Sequence, residues 1–358
     1  MPFASVLPFV LALATADIAP DERPVEQPVA EADAPIDPII AGVLDSMDPG
    51  ARAALEGMDP AALDALVLRG QRGDPLDATE QQILAALSQA AILSFDAKLS
   101  YQTGDITIGD ELAVLHLGDH FRYLGPSDAA RVLTEAWGNP PSDLTLGMIV
   151  PAEISPMDPG RGWGVVITYS QEGHVKDDDA EDIDYDELLT QLQEATEANN
   201  PSRTAQGYPA LHLRGWAEPP RYVPEIRSLY WAQELAADGA PEGSLNYAIR
   251  VLGRKGVLEL NAVSAMSQLP QIRPEMERVY ALVEFKQGNR YIDFDPDLDE
   301  VAAYGIGGLI AGKVALKAGL FAGLLKLLIA GKKLIFVLAI GLVAGIKGLL
   351  GRNKKPAE

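Results

Sequence analysis

The sequence predicts an α+β fold, a mainly antiparallel sheet with packed helices, placed between an N-terminal signal peptide and a C-terminal transmembrane helix. Three observations carry this expectation. After Phe95 the chain breaks into short runs of two-residue alternation punctuated by Gly-Asp turns, the pattern of hairpins. Two stretches among them have a helical period instead. Both ends of the chain are apolar and carry a charge balance different from the middle.

The elements follow in order. In residues 1–16, "FASVLPFVLALATA" is an uncharged apolar run, and Ala14-Thr15-Ala16 supplies the small-x-small pattern of a signal-peptide cleavage site. No Lys or Arg precedes it, a departure from that pattern. A short anchor or buried helix is the alternative, although ~14 residues are too few to cross a bilayer. Residues 17–36 are rich in Pro, Ala and acids and are expected to form a disordered acidic spacer. Short helices are expected over 37–95. "MDPGARAAL" from Met47 and "MDPAALDAL" from Met58 are a local repeat, with Asp48 and Asp59 as caps and Pro49 and Pro60 in the first helical position. Thr79 with Gln82 suggests a capping box for a third helix. This region reads either as a helical stalk or as a docking element for another protein.

The α+β domain is expected over 96–301. "GWGVVITYS" sets Trp163, Val165, Ile167 and Tyr169 on one strand face; "LHLRGW" and "RSLYWAQEL" are further strands. In "LNYAIRVLGRKGVLELNAV" a turn at Arg254-Lys255 brings Val251 opposite Leu258, Ile249 opposite Leu260, Tyr247 opposite Ala262, and Arg250 opposite Glu259. One register satisfies both faces. The two principal helices are placed at 186–198 and about 273–285, the second starting near Pro274.

From Ala302 onward there are nine Lys or Arg against one acid, Glu358; this tail of net +8 leaves −30 of the total −22 for the rest. Such asymmetry separates an acidic body from a basic, membrane-contacting tail. Residues 302–333 form a Gly/Lys-rich membrane-proximal helix in this reading, 334–350 a transmembrane helix with Lys347 near its end, and 351–358 a basic tail. The positive-inside rule favours a single span that leaves "GRNKK" in the cytoplasm; a hairpin tail is the alternative. "GGLIAGKV" (Gly307–Val314) resembles the start of a phosphate-binding loop, but Val314 stands where Ser or Thr should hold magnesium. Its glycines read better as helix-packing residues. Gly341 and Gly345 form the G-x-x-x-G pair inside the most apolar run, which suggests self-association through the tail.

The chemistry-bearing residues are few. No cysteine is present, which removes disulfides and thiol chemistry. The acidic body argues against nucleic acid. In "HVKDDDAEDIDYDELL" an EF-hand count from Asp182 fails, because Glu187 stands at the Gly position and Gln193 at the final Glu. A helix start fits better, with Asp184 as N-cap, Glu187 three residues on, and an apolar stripe of Leu188, Leu189, Leu192 and Ala195. A divalent-cation site at Asp177, Asp178 and Asp179 stays as the alternative. The four histidines show no zinc spacing on a helix, no catalytic constellation stands out, and no cofactor is implied. Three aromatic turn motifs are more distinctive: "WGNPP" with Trp137 and Asn139, "GWAEPPRY" with Trp216, Glu218, Arg221 and Tyr222, and "GNRYIDFDPD" with Arg290 and Asp293. These residues either bind a ligand or partner or cap the ends of the sheet.

These motifs, together with "DDDAEDIDYDELL", the hairpin sequence and "AAYGIGGLIAGKVALKAGLF", resemble the bacterial membrane-anchored proteins grouped as domain of unknown function 2167, over about residues 97 to 350. The resemblance implies an exported domain with a C-terminal anchor and implies no activity. His174 stands where an aromatic residue is expected. The element order is similar to a Mog1/PsbP-like sandwich. The expected protein is thus a non-enzymatic binding or structural module on the periplasmic side of the bacterial inner membrane, with membrane lipid and an envelope protein as partners. The rival is an envelope hydrolase using acids such as Glu218 and Asp293.

Overall fold

In the computed structural model the described residues are 38–311, other than 73, 138, 140–141, 159–160, 206–208 and 241. The expected signal peptide, acidic spacer and transmembrane helix, with Gly341 and Gly345, lie outside them. The described chain divides into two compact units, 38–99 and 100–311.

The first unit is helical: α1 (Pro38–Asp45), α2 (Pro49–Gly57), α3 (Pro60–Arg72) and α4 (Ala78–Asp96). The repeat starts two helices as expected. Asp48 accepts from Gly50 N at 2.8 Å and Ala51 N at 3.2 Å, and Asp59 accepts from Ala62 N at 2.7 Å. The capping box of α4 sits two residues earlier than Thr79 and Gln82. Asp77 accepts from Glu80 N at 2.8 Å, and Glu80 accepts from Asp77 N at 3.0 Å. A carboxylate displaces the hydroxyl because Glu80 is also gripped by Arg69 at 2.6 Å. Leu55, Leu63, Leu66, Ile83 and Leu87 bury one another, so these helices form a small core of their own.

The second unit contains β1 (Tyr101–Gln102), β2 (Asp105–Ile108), β3 (Ala113–His116), β4 (Phe121–Leu124), α5 (Pro126–Arg131), β5 (Thr145–Pro151), β6 (Val165–Ser170), α6 (Tyr185–Ala205), β7 (Leu211–Val223), β8 (Ser228–Ala237), β9 (Ser244–Leu252), β10 (Val257–Ala265), α7 (Leu269–Tyr280), β11 (Val283–Phe285) and α8 (Ile306–Ala311). Eight strands form one antiparallel sheet in the order β1-β4-β5-β6-β10-β9-β8-β7, and β11-β3-β2 form a second. The β9–β10 hairpin has the expected register, Val251 opposite Leu258 through Tyr247 opposite Ala262. Arg250 and Glu259 approach to 3.8 Å on the other face.

Alternation along β9 and β10 feeds two cores. Tyr247, Ile249, Val251, Leu258 and Leu260 face the small sheet and α7, meeting Leu115, Phe285, Ile272, Met276 and Val279. Trp163, Val165, Ile167 and Tyr169 share this side, as expected. Ala248, Leu252 and Val257 face the other way, toward Leu188 and Leu192 of α6 and Ile306, Leu309 and Ile310 of α8.

Both principal helices differ in extent from the expectation. α7 starts at Leu269, with Pro270 in the first turn, so Pro274 lies inside it and costs the bond to the carbonyl four residues back. α6 continues to Ala205 past Pro201. Its last turns are clamped to the chain entering β7: the Asn200 amide exchanges two bonds with Leu211 at 2.8 and 2.9 Å, and Arg203 Nε donates to Pro209 O at 2.9 Å. α8 starts beyond residue 301 yet belongs to this core, because Ile306, Leu309 and Ile310 are all buried.

β7 is an edge strand with three register shifts, around Gly215, Ala217 and Pro219-Pro220. The shift between Trp216 and Glu218 lets Ala217 pack on the α7-side core and Glu218 reach Tyr247, while Trp216 packs on the α6 side. Bulges re-aim side chains in this way.

Candidate functional site

Four segments meet at one end of the large sheet: the chain after β6, the β7–β8 turn, the β9–β10 turn, and residues 286–305. Backbone bonds knit them. His174 N donates to Glu300 O at 2.8 Å, and Ala302 N to His174 O at 2.9 Å, making a parallel bridge with Val301. Arg254 N donates to Asn289 O, and Leu252 N to Arg227 O, both at 2.8 Å.

Asp177 is the hub. Its carboxylate accepts from Tyr222 Oη at 2.6 Å and Tyr291 Oη at 2.9 Å, and pairs with Arg227. Burial pushes its pKa up, but the two phenols and the Arg227 charge outweigh burial and hold it below the ordinary carboxylate value. Both phenols lie far above the usual tyrosine value, first through burial and then through bonding to an anion. Arg227 has a left-handed φ of 51°, which costs a non-glycine residue roughly 1–2 kcal/mol; the ion pair at its tip offsets that strain.

His174 stacks on Phe294 at 4.0 Å and Tyr291 at 4.3 Å between ring centroids. Burial lowers its pKa, so it serves as a neutral flat ring, which suits a position expected to be aromatic. Asp299 accepts from Arg254 Nε at 2.6 Å and Asp295 N at 2.9 Å, with Lys255 Nζ at 3.3 Å. The bond from Arg254 holds its pKa down at about 2. Asp179 accepts from Ile306 N at 2.8 Å and Gly307 N at 3.1 Å, capping α8.

The three carboxylates of the alternative cation site, Asp177, Asp178 and Asp179, do not converge. The first is spent on two tyrosines and an arginine, the third caps a helix, and Asp178 is exposed. Among the described residues no group of three or more carboxylates and histidines is placed to hold a metal. Asp184 does act as the N-cap of α6, accepting from Asp186 N and Glu187 N at 3.0 Å each.

The turn-motif residues divide between local roles. Trp137 and Asn139 are buried rather than displayed, and Trp137 Nε1 donates to Pro156 O at 3.2 Å. Trp216 Nε1 donates to Tyr185 O at 3.2 Å. Glu218 accepts from Tyr247 Oη and pairs with Arg273 of α7 at 2.5 Å. Arg221 is exposed on the edge strand opposite Tyr230. Arg290 and Asp293 grip each other through two bonds of 2.9 and 2.7 Å, and Asp293 also accepts from Gly288 N at 2.7 Å. Glu218 and Asp293 share no partner and do not form a carboxylate pair. Of the candidate residues named from these motifs Tyr222 joins Asp177 directly, and so does Tyr291, the residue between Arg290 and Asp293 in the third motif that was not singled out.

Sequence reasoning missed Arg227, Tyr291, Arg254 and Asp299. The last two had a readable signal: two adjacent bases in the tight turn "GRKG" call for anions, and "DFDPDLDE" is the acid-rich loop that meets them. Arg227, in a turn without glycine, gave none.

Two histidines on the surface of this unit are each held between two carboxylates. His116 of β3 meets Asp105 of β2 at 2.9 Å through Nδ1 and Glu284 of β11 at 3.2 Å through Nε2. His212 of β7 meets Glu197 of α6 at 2.6 Å and Asp238 at 3.2 Å. Both ring nitrogens can donate only in the imidazolium form, and the bonds to Asp105 and Glu197 raise the respective pKa values.

The chain is similar over 52% of its length to a solved structure of cyanobacterial PsbP from Synechocystis sp. PCC 6803, 94% of which is covered, at 10% identity and a TM-score of 0.30. At that score the likeness carries no weight for fold or function. No curated protein matches the chain. Residues 100–343 match the family described as Protein of unknown function (DUF2167), a match that begins where the strand-rich unit begins. Covering well over half of the 358 residues, it establishes that the chain belongs to this family.

Proposed function

We propose that the chain is a bacterial envelope protein, exported by residues 1–16 and tethered to the inner membrane by a single span at 334–350, with the strand-rich unit as a non-enzymatic binding or structural module on the periplasmic side. The observation that carries this reading is α8. The Gly/Lys-rich apolar sequence starts inside a helix that is capped by Asp179 and buried through Ile306, Leu309 and Ile310. A domain that grips the root of its own apolar tail holds a fixed attitude to whatever that tail enters. No helix among the described residues is long and apolar enough to cross a membrane, so the span rests on the sequence of 334–350 alone. Within that run Gly341 and Gly345 would let two tails pack closely.

Cysteine accessibility tests the reading, because the native chain has no cysteine. Asp119→Cys, on an exposed turn, should react with a membrane-impermeant maleimide in cells with only the outer membrane opened. Asn353→Cys should react only after the inner membrane is breached. Protection of Asp119→Cys until full lysis would end the proposal. Labelling of both positions from outside would replace the single span by a hairpin.

A further inference from the structure

We infer that residues 288–301 form a lipid-contacting surface, with Ile292 and Leu298 set into the headgroup–acyl boundary of the membrane and Val301 at its margin. The inference rests on the tether proposed above. Its starting point is a loop that displays aliphatic side chains to the outside. Ile292 is 72% exposed, Leu298 76% and Val301 47%. Several polar neighbours are already bonded within the unit: Tyr291 to Asp177, Asp293 to Arg290, and Asp299, with a fully buried side chain, to Arg254.

The loop is also well fixed. Leu298 N donates to Asp295 O at 3.1 Å, Asp297 N to Asp295 Oδ1 at 3.0 Å, and Phe294 stacks on His174. Isolated exposed aliphatics are ordinary. Ile292 and Leu298, the two most exposed of the large aliphatics, are held outward on a loop fixed by its own hydrogen bonds, a feature that points to an apolar contact.

Position selects the occupant. Val301 is five residues from the start of α8, a reach of at most ~18 Å, and α8 adds about 9 Å. The patch thus lies within a few nanometres of the point where the Gly/Lys-rich apolar run begins, and a bilayer entered by that run is within its range. Charge narrows the choice of lipid. Asp297 and Glu300 are exposed beside the aliphatics, and anionic headgroups would repel them. The contact is therefore with zwitterionic lipid through the side chains, and salt should not weaken it.

The full chain in phosphatidylcholine vesicles provides the test. Ile292→Cys, Leu298→Cys and, as a reference, Asp119→Cys are each labelled with an environment-sensitive fluorophore, and the vesicles carry acyl-chain quenchers. The first two labels should shift to the blue and lose emission to the quencher, with no change at raised salt, while the Asp119 label keeps its emission. Chain that floats with the vesicles but shows unquenched labels at 292 and 298 overturns the inference and leaves the tether standing. A blue shift without lipid quenching overturns it in favour of a second copy as the cover. Equal quenching at Asp119 overturns it as unspecific adsorption. Chain that does not float removes both tether and inference.

Discussion

Asp177 and Asp178 are adjacent, identical in type and opposite in role, and so allow a paired experiment. Removing the Asp177 charge leaves two phenols and Arg227 without their shared acceptor. A hydrogen bond to a charged group contributes about 1.5–3 kcal/mol, and Asp177→Asn should lower stability by roughly that much in urea unfolding. Asp178→Asn should stay within about 0.5 kcal/mol, as for a surface change away from any network. The clamped histidines give a pH signature. Their pKa values are raised in the folded protein, so their contribution is complete below the unfolded imidazole value of about 6.5 and is lost as pH rises through the folded values. Parent and His116→Gln, His212→Gln double variant should therefore differ in urea midpoint in mild acid and converge in alkali. Asp177 runs the other way: its contribution is present above about pH 4 and is lost as acid titrates its depressed carboxylate. At this scale the sequence was a poor guide. Residue types suggested which side chains could act, but the partners of Asp177 lie 45, 50 and 114 positions away, and no periodicity encodes such a meeting.

Secondary elements were far more legible, for a local reason. In the β9–β10 hairpin, turn chemistry and both faces agree on one pairing, so the register could be derived from 19 consecutive residues. Gly256 lies tight against the end of β6, where a Cβ would overlap the Ser170 carbonyl. Since that obstacle is backbone, Gly256→Ala should destabilise by about 1–3 kcal/mol, seen as a lower thermal midpoint. At α4 the expected cap is Thr79–Gln82, but the structure uses Asp77–Glu80, where Arg69 of α3 also holds Glu80. Asp77→Ala should cost about 1 kcal/mol, and Thr79→Ala much less, in the same measurement. The misplaced limits of α6 and α7 have separate local causes. For α7, the sequence points to Pro274 as the start, but Pro270 occupies the first turn instead; α6 runs on past Pro201 to Ala205, its last turns held by Asn200 to Leu211.

For the molecule as a whole, the separation into an acidic body and a basic apolar tail was visible in composition, but the seam was not. Ala302 marks the change in charge, whereas the packed core runs on through Ile310. A strand-rich unit cut after residue 311 should unfold cooperatively. Cut after 301, it loses three buried aliphatics, each worth roughly 1.5–3 kcal/mol, and should bind a dye specific for exposed apolar surface. The large sheet has one further property at this scale. One of its edges is the two-residue β1, and the other is β7, interrupted by bulges and by Pro219-Pro220. Neither offers a long row of free backbone donors and acceptors. Under the tether proposed above, copies held in one plane would collide often and in similar orientations, the condition under which exposed strand edges zip into continuous ribbons. With both edges of the sheet blunted, such a population can be densely packed without its sheets joining edge to edge.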